Sequence, residues 1–153
     1  MQPINRRLFL FSALPLPFYA AGPLQVFTAE EARIVEALCA QIVPADGLPD
    51  GKGPGAKEAG VLYYIDRQLA GPLGRFAPRY KAGLGAFRQL LELTFEAQTA
   101  ALEQLKGEQA AFFALVVDHV MQGFYGDPAH GGNLDEASWK MIGIAGQAGG
   151  HHQ

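Results

Sequence analysis

The sequence of 153 residues contains a single cysteine, Cys39, so no disulfide bond can form within the chain. It also lacks a Cys-x-x-Cys-His motif, the attachment site of a c-type haem. The chain has 12 lysines and arginines against 15 aspartates and glutamates, and its only Arg-Arg pair lies near the N-terminus. Without a basic stripe, nucleic acid is not an expected partner. Cys39 falls on the apolar face of a predicted helix, where we interpret it as a small buried hydrophobe.

No stretch alternates polar and apolar residues between turn signals, so we predict no strand. No internal repeat and no nucleotide-binding glycine motif after a strand is visible. Hydrophobic residues make up 49% and charged residues 18% of the chain, which is typical of a globular protein. We therefore predict one small all-α domain of five or six helices, with a long Gly/Pro loop near each end.

The helices are predicted from apolar periodicity and from breakers. The first begins at a capping box, Thr28 with Glu31, and ends before Pro44. The others cover about residues 56–69, 78–93, 95–106 and 108–124, followed by a short last helix. The helix of residues 108–124 is apolar almost all round, which favours a central position. In the loop of residues 44–55, Asp46 and Asp50 could hold a cation, but turn formation is the favoured interpretation.

Residues 1–22 have the composition of a targeting segment, and the helical domain is assigned to residues 23–147 with a flexible tail at 148–153. The apolar run of residues 8–21 is short for a membrane span and is interrupted by two prolines. The stretch from Asn5 to Leu10 resembles the twin-arginine export motif, with Arg6 and Arg7 followed by Phe9 and Leu10. An ordinary secretory signal, or an apolar arm that begins with two arginines, remains the alternative. The cleavage signal is weak, because Pro23 follows the small residues 20–22.

The densest functional stretch runs from His119 to Trp139 and holds two of the four histidines and the only tryptophan. Gly123, Gly126 and Pro128 are expected to end the helix. Gly131 and Gly132 are then expected to allow backbone conformations with positive φ in the loop. We expect His119 to hydrogen-bond loop carbonyls, and Asn133 to cap the last helix with Glu136 at the third position. Trp139 and Met141 are expected to pack onto the domain or into a partner.

Two interpretations of this stretch stay open. The first is a metal-dependent enzyme that uses His119, Asp127 and His130, although their spacing matches no known metal motif. The second is a docking surface for a partner protein. The candidate docking residues are His119, Gln122, Phe124, Tyr125, Asp127, Pro128, His130, Asn133 and Trp139.

The motif from His119 to Asn133, followed by Ser138-Trp139-Lys-Met-x-Gly143, resembles the gluconate 2-dehydrogenase subunit 3 family. Pro44-x-Asp46-Gly, Pro54-Gly-Ala56, Gly60-Val61 and Tyr64-Ile65-Asp66 are similar to the first half of that family. The resemblance spans about residues 28–146.

The resemblance implies a non-catalytic small subunit of a periplasmic FAD-dependent sugar or glucoside dehydrogenase. Such a subunit carries no cofactor of its own, while FAD is held by a large subunit of the glucose-methanol-choline oxidoreductase type. It implies that this chain supports folding of the large subunit and carries it through the twin-arginine route. Electrons would then pass from the flavin to a cytochrome c subunit. Contact with the membrane is expected only through export or through the complex.

Overall fold

The structure, a computed structural model, describes residues 22–45 and 53–144. Within these residues the chain is helical and contains no strand, which confirms the all-α prediction. The α-helices are α1 (Ala29–Ile42), α2 (Val61–Leu69), α3 (Ala77–Gly83), α4 (Phe95–Glu103), α5 (Gly107–Tyr125) and α6 (Ala137–Met141). Segments of 3₁₀ helix cover Gly74–Phe76, Leu84–Glu92, Pro128–His130 and Leu134–Glu136.

Some of the predicted features lie outside the described residues. They are the export motif at Arg6, Arg7, Phe9 and Leu10, the loop residues Asp46 and Asp50, and the tail at 148–153. None of the helices within residues 22–45 and 53–144 combines the length and the apolar character that crossing a membrane requires.

Helix α1 begins as predicted. The hydroxyl of Thr28 accepts a hydrogen bond from the backbone N–H of Glu31 at 3.2 Å, and the Glu31 carboxylate accepts one from the Thr28 N–H at 2.8 Å. This reciprocal pair satisfies two amides at the helix start. Cys39 on this helix is fully buried, which confirms the prediction. Burial, helped by the charge of Glu36, raises the pKa of the Cys39 thiol to about 12, so the side chain is an unreactive thiol.

Helix α2 begins at Val61, five residues later than the predicted start at Ala56. Gly60 has a φ of 70°, a left-handed conformation that glycine enters without steric cost. A Cβ atom at Gly60 would lie 2.5 Å from the Cδ1 atom of Leu134, and the N–H of Leu134 donates to the carbonyl of Ala59 at 3.1 Å. The turn before α2 is therefore the place where the late part of the chain packs.

The third predicted helix is divided into α3 and a 3₁₀ segment at Leu84–Glu92. Three buried residues of this segment, Leu84, Phe87 and Leu90, are spaced by three. Because a 3₁₀ helix has three residues per turn, this spacing places all three on one line facing the core. Gly83 lies at the junction, where a Cβ atom would come within 2.7 Å of the Phe112 ring. The close packing of α5 against this junction therefore requires glycine.

Helix α5 is the central helix, as predicted. It contacts α1, α2, α3 and α6, and its buried residues are Phe112, Val116, His119, Val120, Gly123 and Phe124. Helix α4 ends at Glu103, earlier than the predicted Lys106. Thr94 caps its start, because the Thr94 hydroxyl accepts a hydrogen bond from the Ala97 N–H at 3.3 Å.

The segment of residues 24–28, here called the stem, connects the N-terminal region to α1. Asp66 of α2 is only 3% exposed, and its carboxylate accepts hydrogen bonds from three successive stem amides. The distances are 2.7 Å to Gln25 and 2.9 Å to Val26 and Phe27. Lys81 of α3 donates to the Val26 carbonyl at 2.6 Å. Two charged side chains thus fix the point at which the chain enters the domain.

A candidate docking surface on the late loop

The late loop, residues 126–136, begins where Gly126 ends α5. The Asp127 carboxylate accepts a hydrogen bond from the Ala129 N–H at 2.9 Å and so closes the turn that Pro128 begins. Gly131 follows with a φ of 97°, as its glycine identity predicts.

Two other glycines serve close packing, which differs from the prediction. Gly123 does not end α5, which continues to Tyr125; a Cβ atom at Gly123 would lie 2.5 Å from the Tyr64 ring of α2. Gly132 does not have a positive φ; a Cβ atom there would lie 2.3 Å from the Gly123 carbonyl oxygen. The loop backbone therefore packs directly against α5 at Gly123, the same residue at which α5 packs against α2.

Asn133 holds the loop from the inside. It is fully buried, with a φ of 46°. Its amide nitrogen donates to the Gly126 carbonyl at 2.9 Å, and its amide oxygen accepts from both the N–H and the hydroxyl of Ser138 at 2.8 Å. Asn133 therefore caps the first turn of α6 from five residues away. The predicted capping box with Glu136 is wrong, because Glu136 itself has a φ of 55° and immediately precedes α6.

His119 does not reach the loop carbonyls, so that prediction is wrong. It is 2% exposed and lies parallel to Tyr80, with ring centroids 5.8 Å apart, and its Nδ1 is 3.0 Å from the Tyr80 hydroxyl. Phe76 meets the same imidazole edge-on at 5.1 Å. His119 is a satisfied core histidine that joins α5 to α3.

This position makes stability depend on pH. Burial, opposed by the charge of Asp118 and aided by that of Arg75, lowers the pKa of His119 below its ordinary value of 6.5. When the pH falls through 6.5, the unfolded chain binds a proton that the folded chain does not bind, so the free energy of unfolding should decrease. We expect urea denaturation to show that the free energy of unfolding decreases as the pH is lowered from 7.5 towards the lowered pKa of His119. The decrease should be smaller in a His119→Gln variant. If the free energy of unfolding changed equally with pH in both proteins, His119 would not be the cause of the pH dependence.

The predicted docking residues divide by exposure. Gln122, Tyr125, Asp127 and His130 are exposed, whereas Pro128 and Trp139 are partly buried. His119, Phe124 and Asn133 are buried and shape the surface without offering side chains to it. The Trp139 indole donates to the Tyr125 carbonyl at 2.9 Å, so Trp139 packs back onto the end of α5.

Two exposed apolar residues beside the loop, Met121 and Ile142, are not among the predicted docking residues. Met121 and Tyr125, one helical turn apart on α5, are both 41% exposed, and Ile142 beyond α6 is 53% exposed. The periodicity of α5 could not reveal Met121, because that helix is apolar on nearly every side. We call the exposed residues Met121, Gln122, Tyr125, Asp127 and His130 the docking face.

The metal hypothesis is wrong for the residues on which it was based. Among residues 22–45 and 53–144, no three His, Cys, Asp or Glu side chains are grouped so that they could hold a metal ion. His119 lies in the core against Tyr80, whereas His130 is exposed on the loop and Asp127 closes a turn.

The model of the family described as gluconate 2-dehydrogenase subunit 3 matches residues 29–146, a range that contains helices α1 to α6. The chain belongs to the gluconate 2-dehydrogenase subunit 3 family. No curated protein and no solved structure matches the chain. As a member of this family, the chain is an accessory subunit of a multi-subunit dehydrogenase. The matched residues include both close approaches described above, Gly60 to Leu134 and Gly123 to Tyr64.

Proposed function

We propose that this subunit is the non-catalytic partner of a large FAD-containing sugar or glucoside dehydrogenase subunit, and that it docks through the late loop. Family membership supports the class of complex. The observation that carries the docking role is Asn133: a fully buried amide with three hydrogen bonds fixes a loop whose outer side chains are exposed. A surface that is rigid before binding loses less conformational entropy on association.

The docking face also has the composition of an interface. It combines the exposed side chains of Met121 and Tyr125 with the polar groups of Gln122, Asp127 and His130. Methionine and tyrosine are enriched in the centres of protein interfaces, and polar groups surround such centres. Ile142 extends the exposed apolar area beyond α6.

The proposal includes folding and export of the large subunit. Twin-arginine signals are receptor-read addresses, and the motif at Arg6 and Arg7 supports this route to the periplasm. FAD belongs to the large subunit in this proposal, and a cytochrome c subunit accepts its electrons. Because the stem fixes the start of the domain, the export segment and the docked partner are attached to one folded body.

Co-expression tests this function. The chain is produced together with a candidate large FAD-containing dehydrogenase subunit, and periplasmic and cytoplasmic fractions are assayed for flavin and for dye-coupled sugar oxidation. We expect a periplasmic, flavin-containing complex with the natural chain, and the same complex retained in the cytoplasm when Arg6 and Arg7 are both replaced by lysine. Failure of the two proteins to co-purify, or full periplasmic activity without this chain, would contradict the proposal.

A further inference from the structure

A polar cleft of about 410 Å³ lies between the end of α2, the stem and the late loop. Its polar side chains are Gln25 from the stem, Arg67 and Gln68 from α2, and His130 from the late loop. The cleft therefore contacts both the segment that leads to the N-terminal region and the late loop, which carries Asp127 and His130 of the docking face.

The charge of the cleft is of one sign. Among the residues that the structure describes, no acidic side chain lines the cleft, although the whole chain has a net charge of −3. Within residues 22–45 and 53–144, ion pairs join Lys57 to Glu36, Lys81 to Glu31 and Arg88 to Glu30. None of these pairs uses Arg67, and the adjacent carboxylate of Asp66 is directed at the stem amides.

The groups around the cleft are held in place by neighbouring structure. The Gln25 N–H is fixed by Asp66 at 2.7 Å, and Gln68 donates to the His130 carbonyl at 3.4 Å. A Cβ atom at Gly131 would lie 3.3 Å from a guanidinium nitrogen of Arg67, so the loop backbone passes close to this cation. The guanidinium can offer two parallel N–H groups to one carboxylate, a geometry that lysine cannot match.

We propose that this cleft receives an aspartate or glutamate side chain of the large subunit, with Arg67 as its main partner and Gln25, Gln68 and His130 as further hydrogen-bonding groups. This inference rests on the proposed function and adds to it a charged contact next to the docking face. A partner bound there touches the stem as well as the late loop, so binding of the large subunit also holds the base of the export segment.

The test measures the dissociation constant between the purified chain and the purified flavin subunit, by biolayer interferometry at low salt and at about 0.5 M NaCl, where charges are screened beyond about 4 Å. The variants are Arg67→Gln and Arg67→Glu. Arg79→Glu is the matched control, because Arg79 is exposed on α3, outside the cleft, and the charge change is equal. Thermal unfolding of each variant establishes that its fold is intact.

We expect Arg67→Gln to weaken binding about tenfold and Arg67→Glu about a hundredfold, with less than about a twofold change for Arg79→Glu. Arg67→Gln should also reduce the salt dependence of binding. Natural affinity in folded Arg67→Glu would overturn the cleft proposal and leave the proposed function intact. Equal weakening by Arg79→Glu would overturn it too, because net charge would then be the cause. Absence of binding by the natural chain would overturn the proposed function and the cleft with it.

Discussion

Replacement of Asp66 by alanine is expected to lower the free energy of unfolding by roughly 3–5 kcal/mol, the largest effect of a single substitution that we predict. The Asp66 carboxylate accepts three backbone amides of the stem, and alanine leaves all three without a partner. The amide of Phe27 is buried, whereas those of Gln25 and Val26 are partly buried, where water can replace some of the lost bonding. The total is therefore smaller than three full desolvation costs.

Urea denaturation followed by circular dichroism measures this loss. Asp66→Asn keeps one amide oxygen as an acceptor and should fall between the natural chain and alanine. Asp118→Ala is the matched control, because Asp118 is exposed on α5; its effect should stay within about 0.5 kcal/mol. In Asp66→Ala the stem should also be cleaved faster by limited proteolysis. If Asp66→Ala proved as stable as Asp118→Ala, the stem contacts would have no energetic importance.

Replacement of Asn133 by alanine is expected to cost roughly 2–4 kcal/mol of stability and to release the late loop. The side chain contributes three buried hydrogen bonds, and its φ of 46° is a conformation that asparagine enters more readily than alanine. Since the loop carries Asp127 and His130 of the docking face, the affinity for the flavin subunit should fall together with the stability.

Asp135→Ala is the control that separates the cost of a positive φ from the cost of losing the Asn133 hydrogen bonds. It has a φ of 55° but is exposed, so Asp135→Ala tests the left-handed conformation without buried hydrogen bonds. We expect a cost of roughly 1 kcal/mol for this variant and little change in binding. Equal losses for Asn133→Ala and Asp135→Ala would mean that the hydrogen bonds of Asn133 do not organise the loop.

Local signals in the sequence predicted the parts of the fold that depend on neighbouring residues. The capping box of Thr28 and Glu31 placed the start of α1, and the apolar length of α5 indicated a central helix. The spacing of Leu84, Phe87 and Leu90 by three is also a local signal of the 3₁₀ segment. The prediction of a single helix over residues 78–93 does not use this signal.

Contacts between distant segments could not be predicted from local patterns. Asp66 looks like an ordinary polar helix residue until the stem amides are placed within 2.7–2.9 Å of its carboxylate. His119 has a polar side chain next to a loop, and only the tertiary structure shows that its partner is Tyr80, 39 residues earlier. For the same reason the glycine pattern indicated a shaped loop but did not reveal that Gly123 and Gly132 contact Tyr64 and α5.

In the proposed complex the large subunit covers the late loop and the neighbouring end of α5. Hydrogen–deuterium exchange of the chain, alone and in its purified complex with the flavin subunit, tests this most directly. We predict slower exchange on binding at the amides of residues 122–139 and of Gln25, next to the cleft. Slower exchange confined to α4 and the 3₁₀ segment Leu84–Glu92, with the late loop unchanged, would show that the large subunit binds elsewhere on the domain.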